Sequence, residues 1–163
     1  MAAPTVHRRS SNASQAPLDD SAFENILFQT EDEKSTGAPI AWDTDHFDIT
    51  EDGIYFIAAT FMCDGNSASE IWLRFAKNGT TNLTHNEGQS ANGYAFMWKE
   101  ATGNGDENPA SIAAIAELAD GDTIDIQAKG SKATGMEIDG ATVSILQLST
   151  ISAGTPRRVM VIS

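Results

Sequence analysis

The feature that most constrains the fold is a turn signal followed at once by an apolar run, and it occurs twice. Residues 47–61 read FDITEDGIYFIAATF, in which an Asp-Gly step precedes a run rich in β-branched and aromatic side chains. Residues 116–128 read AELADGDTIDIQA and repeat the arrangement around a second Asp-Gly step. Strands that start from tight Asp-Gly turns are typical of antiparallel sheets, so the sequence predicts a compact antiparallel β protein.

Turn signals recur along the whole chain. Asp-Gly or Asn-Gly steps occur at positions 52, 64, 78, 92, 120 and 139, with short apolar segments between them. Residues 110–119 read ASIAAIAELA and fit either a helix or a strand, and the strand patterns on both sides favour a strand. This rhythm predicts an all-β sandwich or barrel over residues 21–150.

Both ends of the chain differ in composition from this domain. Residues 1–20 are rich in Ala, Ser, Pro and Asn and carry two arginines but no acid up to Pro17, which predicts an extended N-terminal arm. Residues 151–163 contain a Gly-Thr-Pro break, two further arginines and the apolar run VMVI. They predict a C-terminal extension whose strand either completes a sheet or pairs with the edge of another subunit.

The charge balance narrows the classes of partner. Asp and Glu number 23 against 10 Lys and Arg, which gives a net charge of -13. Nucleic acid and anionic membranes are bound by clustered cations, so neither is expected as a partner. No run of about 18 apolar residues occurs, and the N-terminus lacks the apolar core of an export signal. Cys63 is the single cysteine, so an intrachain disulfide is excluded.

The sequence contains no recognisable catalytic or cofactor motif. His7, His46 and His85 lack metal-ligand spacing, and the zinc-protease, nucleophile-elbow and phosphate-loop patterns do not occur. Acidic side chains gather twice, and their oxygens suit Ca²⁺, although so acidic a chain offers such groups by composition alone. The two groups are Asp43, Asp45 and Asp48, and Asp120 and Asp122. The sequence predicts a protein that is not an enzyme and holds no cofactor.

Three segments carry a resemblance to a known fold family. They are F-x-I-x-x-x-G-x-Y-x-I over residues 47–57, L-x-x-G-D-x-I over residues 118–124, and an apolar strand ending in N-G-T over residues 71–80. Together they resemble the domain shared by tumour necrosis factor-like ligands and the globular heads of complement, over about residues 23–148. The matching residues of the first two motifs are Phe47, Ile49, Gly53, Tyr55, Ile57, Leu118, Gly121, Asp122 and Ile124.

The resemblance implies an antiparallel jelly-roll β-sandwich of ten strands that assembles as a homotrimer about a hydrophobic axis. Aromatic side chains are the candidates to line that axis or to fill the core of each subunit. The candidates are Tyr55, Phe61, Tyr94, Phe96 and Trp98. The same domain occurs in bacteriophage fibres, spikes and capsid decorations, and a chain without disulfide, export signal or shaft repeat looks most like that group.

The resulting hypothesis is a non-enzymatic virion structural protein. It would be a trimeric decoration (cement) protein, assembled in the host cytoplasm, that binds the major capsid protein on the outer surface of a phage head. The arm would make the contact, with its arginines on an acidic capsid surface and its apolar side chains in small pockets. The arm residues concerned are Val6, Arg8, Arg9 and Leu18. The alternative is a receptor- or glycan-binding tip of a fibre or spike, in which loops 79–92 and 102–109 bind glycan.

Overall fold

The computed structural model describes residues 5–15, 18, 22–65, 70–83, 96–99, 108–131 and 136–151. In these ranges the chain forms strands joined by turns. In chain order the strands are β1 (Thr5–Ser11), β2 (Glu24–Asn25), β3 (Thr30–Lys34), β4 (Ile40–Asp43), β5 (His46–Ile49), β6 (Gly53–Gly65), β7 (Glu70–Lys77), β8 (Thr81–Asn82), β9 (Phe96–Lys99), β10 (Asn108–Leu118), β11 (Thr123–Gly130) and β12 (Met136–Thr150).

The strands form two antiparallel sheets around one core. The five-stranded sheet has the order β10-β6-β12-β1-β3, and the second sheet has the order β4-β5-β11-β7-β8, with β2 paired to β11 and β9 to β7. Buried apolar residues from both sheets belong to a single cluster. The predicted all-β antiparallel sandwich is confirmed, and residues 110–119 belong to a strand rather than a helix. Within the described ranges, no helix is long and apolar enough to cross a membrane.

Strand β6 carries the turn signal that most constrained the sequence. Its residues alternate between the core and the opposite face, and Tyr55 and Phe61 are fully buried. The Tyr55 hydroxyl donates a hydrogen bond to the Glu51 carbonyl oxygen at 2.7 Å and accepts one from the Gln147 side chain at 3.3 Å. Burial, followed by the nearby Glu51 charge, raises the pKa of Tyr55 to about 12, so the hydroxyl stays protonated and ties β6 to β12.

Gly53 is required where β6 begins because the neighbouring strand leaves no room for a side chain. A Cβ atom at this position would lie 2.7 Å from the Ser149 carbonyl oxygen and 2.9 Å from the Gln147 side-chain nitrogen. The register of β12 against β6 shifts between these two residues, and this bulge brings the carbonyl close. The glycine of the sequence motif therefore has a packing reason.

Substitution of Gly53 by alanine is expected to lower the free energy of unfolding by about 3 kcal/mol, because either the bulge or the strand must shift. Chemical denaturation followed by tryptophan fluorescence measures the effect. Gly140→Ala is the matched control, since a Cβ there meets only the Ser11 carbonyl oxygen at 3.4 Å. Equal losses in the two variants would contradict the steric account.

The structure places residues 5–11 in a strand, where the sequence predicted an extended arm. Strand β1 pairs with β12 from Thr5 opposite Gln147 to Ser11 opposite Ala141, and with β3 on its other side. His7 is fully buried on the core side. The polar composition concealed this strand, because the inward positions of β1 hold histidine, arginine and serine rather than aliphatic residues.

His7 fits the core through its contacts rather than through its charge. Its ring packs edge-on against Phe47 at 5.3 Å, and Nδ1 lies 3.3 Å from the Ile40 carbonyl oxygen. Nε2 lies 3.0 Å from the Glu31 carboxylate, but the geometry of this pair does not meet the requirements of a hydrogen bond. Burial lowers the pKa of His7, and the Ile40 carbonyl oxygen and the negative charge of Glu31 offset only part of that effect.

Acidification is expected to destabilise the fold through His7. Because the pKa of His7 is lowered from its ordinary 6.5, the unfolded chain takes up the proton first. The contribution of His7 to the free energy of unfolding is complete above pH 6.5 and is lost as the pH falls below that value. Melting temperatures between about pH 8 and 5 should therefore fall further for the native protein than for His7→Gln. Identical pH dependences would show that His7 does not titrate as described.

Candidate functional site

The outer face of the five-stranded sheet, which points away from the core, carries a line of apolar side chains. The register places Ile115 of β10 opposite Phe56 of β6, Phe56 opposite Leu146 of β12, and Leu146 opposite Val6 of β1. We refer to these four residues as the apolar row. Ile115 is 66% exposed, although a large aliphatic side chain is normally buried.

Two further exposed aliphatic residues enlarge the patch on one side of the apolar row. Leu148 is 51% exposed and Ile54 is 37% exposed. Both lie next to the bulge of β12, where Ser149 is opposite Ile54. A contiguous exposed apolar patch of this kind marks an interaction surface more often than it marks ordinary solvent-exposed structure.

Small and hydroxyl-bearing side chains cover the sheet on the other side of the apolar row. The first of two such rows consists of Ala113, Ala58, Ser144 and Arg8, and the second of Ser111, Thr60, Thr142 and Ser10. The Thr60 and Ser111 hydroxyls are hydrogen-bonded to each other at 3.1 Å. Short side chains leave this part of the face flat, which allows another protein surface to approach the sheet closely.

The central part of the outer face is nearly free of charge. In the apolar row and the two rows beside it, Arg8 is the one charged side chain, whereas the chain as a whole carries -13. Charged residues are depleted from the buried centres of protein interfaces. The outer face therefore has the composition of a surface that another subunit covers.

An acidic group lies at the far end of the outer face. One oxygen from each of Asp64, Glu137 and Asp139 lies within 4.8 Å of the others, and Asp64 Oδ1 is buried without a hydrogen bond. A groove of ≈ 290 Å³ lies beside this group and is lined partly by Met62, Pro109 and Gly140. The acidic group and the groove therefore lie towards one end of the outer face and not at its centre.

Cys63 lies on the core side of β6 next to this acidic group. It is fully buried, and burial together with the nearby Asp139 carboxylate raises the pKa of its thiol to about 12. The thiolate is the reactive form of cysteine, so this thiol is inert at neutral pH. The structure thus favours a packing role for Cys63 over an interchain bridge or a reactive site.

The four residues predicted to bind a capsid divide into two pairs. Val6 and Arg8 lie on the outer face, and Arg8 is 46% exposed with Glu33 at 3.9 Å. Arg9 points inward, where its guanidinium donates to the Phe28 carbonyl oxygen and lies 4.9 Å from the centre of the Trp42 ring. Leu18 is buried in the core. Arg9 and Leu18 therefore hold the N-terminal segment to its own domain.

The candidate aromatic residues also have different positions. Tyr55 and Phe61 belong to the core, which was one of the two roles expected for them. Phe96 and Trp98 pair through their backbones with Leu73 and Ile71 of β7, and their side chains lie outside the described part of the structure. Tyr94 lies outside the described residues, as do loops 79–92 and 102–109 except for residues 79–83, 108 and 109.

The first of the two acidic groups considered for Ca²⁺ gathers around His46. Ligand atoms of Asp43, His46 and Asp48 lie within 4.8 Å of one another. His46 Nδ1 is 2.9 Å from Asp45, and Nε2 is 3.3 Å from Asp48. Burial lowers the pKa of His46, but these carboxylates outweigh burial and raise it above its usual value. The arrangement is explained by ion pairing between the imidazole and its acidic neighbours.

In the second of these acidic groups, hydrogen bonds and an ion pair explain the position of Asp122. Asp122 accepts a hydrogen bond from the Ala119 N–H at 2.7 Å and one from the Asn78 amide at 3.1 Å, and it forms an ion pair with Lys77. Burial raises the pKa of Asp122, but Lys77 and these donors outweigh burial and hold that pKa below its usual range. Asp122 therefore joins the turn before β11 to the turn after β7.

Sequence reasoning singled out Val6 and Arg8 but missed the other residues that define the outer face. Ile115, Leu146 and Leu148 alternate with buried neighbours along their strands, which places them on the face opposite the core. Alternation does not show whether solvent or another element of structure covers that face. One signal was present in β6, where Ile54, Phe56 and Met62 make the outward positions as apolar as the inward ones. This pattern predicts that the strand is covered on both faces.

This geometry defines a two-sheet antiparallel sandwich with an apolar outer face, and the same architecture occurs in known structures. The protein is similar to murine APRIL at pH 8.0 (TM-score 0.60, 15% identity, covering 90% of this chain and 100% of that one). It is similar to Eiger TNF from S. frugiperda (TM-score 0.57, 10% identity, 95% and 98% covered). It is also similar to the globular domain of zebrafish complement 1qA protein (TM-score 0.59, 10% identity, 90% and 99% covered).

These similarities show the fold, because the sequence identities are low. The chain has the jelly-roll fold of the TNF-family and C1q globular domains, as its sequence motifs predicted. No protein-family model and no curated protein matches the sequence. The function must therefore be argued from the site.

Proposed function

We propose that this protein is a non-enzymatic structural protein that assembles as a homotrimer through the outer face of its five-stranded sheet. The apolar row carries the proposal, because it contains no charged residue and its Ile115 is 66% exposed in a chain with a net charge of -13. Burial of this patch stabilises the assembly by about 25 cal/mol for each Å² of apolar surface removed from water. The resemblance of the sequence to the tumour necrosis factor-like and complement globular-head domains implies a homotrimer, and the shared fold supports the same assembly here.

The biological setting that we propose is the outer surface of a bacteriophage head. There the trimer would act as a decoration protein that binds the major capsid protein after assembly in the host cytoplasm. Three equivalent contacts per trimer multiply a weak interaction into tight attachment. The acidic surface of the rest of the molecule keeps the free protein soluble.

The capsid contact in this proposal is made by the exposed part of the N-terminal segment. Arg9 and Leu18 are held inside the domain, which leaves Arg8 as the cation of β1 that is available to an acidic capsid surface. Arg8 is the last residue of its row on the side of the edge strand β3, where it is opposite Glu33. Arg8 can therefore remain exposed in the trimer and also contact a capsid.

Binding to phage heads by the Arg8→Glu variant tests this setting. The variant is expected to remain a folded trimer and to lose co-sedimentation with heads that the native protein decorates. Lys129→Glu is the matched charge reversal, because Lys129 lies on the other sheet, over the Trp72 ring. Normal head binding by Arg8→Glu would exclude this contact, and a monomeric native protein in light scattering would exclude the trimer itself.

A further inference from the structure

The turn after β7 contains a dipeptide with an intrinsic chemical reactivity, Asn78-Gly79. In such a step, the Gly79 backbone nitrogen attacks the side-chain carbonyl carbon of Asn78, and the new C–N bond closes a cyclic imide. The bond from this carbon to Nδ2 breaks, and Nδ2 leaves as ammonia with the proton from the Gly79 amide. Water then opens the imide and leaves aspartate or isoaspartate at position 78. Glycine favours the reaction because it has no side chain to hinder the attack.

Access of water does not limit this reaction in the folded protein. Asn78 and Gly79 lie between β7 and β8, and both residues are exposed. The water molecule that opens the imide therefore reaches the turn freely. The rate of the reaction depends instead on how firmly the two reacting groups are held apart.

The backbone conformation of the turn separates the reacting groups. Asn78 has a φ of 52° and Gly79 a φ of 75°, so both residues are in the left-handed region. Ring closure requires Cβ of Asn78 and the Gly79 nitrogen to be nearly eclipsed about the Cα–C bond of Asn78. In the left-handed conformation, in which ψ is about +47°, these two atoms are far from eclipsed. The backbone must therefore leave this conformation before the imide can form.

Hydrogen bonds to the turn before β11 hold Asn78 in this conformation. The Asn78 Oδ1 atom accepts a hydrogen bond from the Thr123 N–H at 2.8 Å, and Nδ2 donates one to Asp122 Oδ1 at 3.1 Å. The Asn78 N–H donates to the Thr123 carbonyl oxygen at 3.0 Å. The backbone and the side chain of Asn78 are thus fixed to the same segment, and a change of conformation at Asn78 breaks these bonds together.

The Gly79 nitrogen, which is the attacking atom, is also held. Its N–H donates a hydrogen bond to Asp125 Oδ2 at 3.0 Å. The nitrogen attacks after it has lost its proton, and a hydrogen bond to a carboxylate, together with the negative charge of that carboxylate, favours the protonated form. Asp125 is buried, and its Oδ1 atom accepts a hydrogen bond from the Asn25 amide at 2.8 Å, so its position is fixed.

The product of the reaction does not fit the closed turn. A carboxylate at position 78 has no proton to donate to Asp122 Oδ1, so two negatively charged oxygens would face each other. Isoaspartate in addition inserts a carbon atom into the backbone at the point where Asn78 is bonded to Thr123. Refolding does not remove either change, so the modification is a permanent defect of the turn.

We infer that Asn78 is a deamidation site that the closed turn protects and that reacts when the turn between β7 and β8 opens. The opening equilibrium of this turn then sets the rate of an irreversible modification of the folded protein. The turn belongs to the second sheet, so the inference is independent of the trimer and of capsid binding. The C-terminal extension that the sequence predicts has no part in it, because residues 152–163 lie outside the described residues.

Peptide mapping by tandem mass spectrometry measures the deamidation of Asn78. One sample of the native protein is incubated folded in a mildly alkaline buffer, and a second is unfolded in guanidinium chloride at the same pH. The rate at Asn78 should be lower by about tenfold or more in the folded sample, because the reaction requires the turn to open. In the unfolded sample, Asn92-Gly93 is the internal reference, since the same dipeptide then governs both rates.

The Asp125→Ala variant tests the contact that holds the Gly79 nitrogen. The folded variant should deamidate at Asn78 about fivefold faster than the native protein, because one hydrogen bond of the closed turn is lost. Asp32→Ala is the matched control, because it removes one carboxylate from the exposed strand β3 of the other sheet. The control should retain the native rate.

Equal rates in the folded and unfolded native protein would overturn the inference, because the turn would then give no protection. A folded Asp125→Ala variant that reacts at the native rate would also overturn it, because its carboxylate would then not restrain the Gly79 nitrogen. If circular dichroism shows that Asp125→Ala is unfolded, native protein in guanidinium chloride below the unfolding transition replaces it. A rate that rises with denaturant supports reaction through the opened turn, and a constant rate contradicts it.

Discussion

A chain that begins at residue 18 is expected not to fold as a cooperative domain. The deletion removes β1, which pairs along its whole length with β12 and also separates β12 from β3. It also removes the buried His7 and opens the core at Phe47. The loss is on the order of 5 kcal/mol or more, which is comparable to the entire stability of an ordinary domain. Circular dichroism and a urea titration measure it.

Deletion of residues 1–4 provides the control for this truncation. It shortens the same end of the chain but leaves β1 intact from Thr5 onward. We expect its unfolding midpoint to remain within the error of the native value. If the chain from residue 18 melted cooperatively at the native temperature, β1 would be dispensable and the N-terminal segment would be an arm after all.

If the proposed trimer forms, Ile115→Asp is expected to convert it into a monomer without unfolding the chain. The residue is exposed in the single chain, so the monomer does not depend on it, whereas a buried carboxylate in the assembled face costs several kcal/mol. The mass measured by light scattering should fall from about three times 17.4 kDa to about 17.4 kDa. The association constant should fall by about a thousandfold or more, following the tenfold change for each 1.4 kcal/mol.

Leu27→Asp is the matched control for this substitution. Leu27 is a large exposed aliphatic residue like Ile115, but it lies between β2 and β3 and outside the apolar row. The control should therefore retain the mass of the native protein. Dissociation of both variants would point to a general effect of added charge, and a trimeric Ile115→Asp would remove the outer face as the interface.

The central strands of this fold could be read from the sequence because local chemistry determines them. The Asp-Gly step before β6 and the apolar run after it predicted the strand and its start, and Tyr55, Ile57 and Phe61 are its buried residues. Gly53 belongs to a recognisable sequence motif, but the sequence does not show why a glycine is required there. The cause is the Ser149 carbonyl oxygen 2.7 Å from the position of a Cβ, and that residue lies almost 100 positions later in the chain.

The N-terminal strand β1 could not be predicted from the sequence in this way. Its inward residues are polar, and each is satisfied by a distant partner, such as the Ile40 carbonyl oxygen for His7 and the Phe28 carbonyl oxygen for Arg9. Composition therefore predicted an arm. The exposed face was likewise hidden, because alternation shows that Ile115 and Leu146 lie opposite the core but not that solvent reaches them.

The pairing of β1 with β12 also determines when this protein can fold. Thr5 is opposite Gln147, so the first and last described strands of the chain meet side by side inside one sheet. During synthesis, β1 leaves the ribosome long before β12 has been made. Until β12 is present, β3 also has no completed sheet to join. Contacts between residues so distant in sequence slow folding. The sheet that contains β1 is therefore completed only after β12 has been synthesised, and until that moment the polar side chains of β1 reduce its tendency to aggregate.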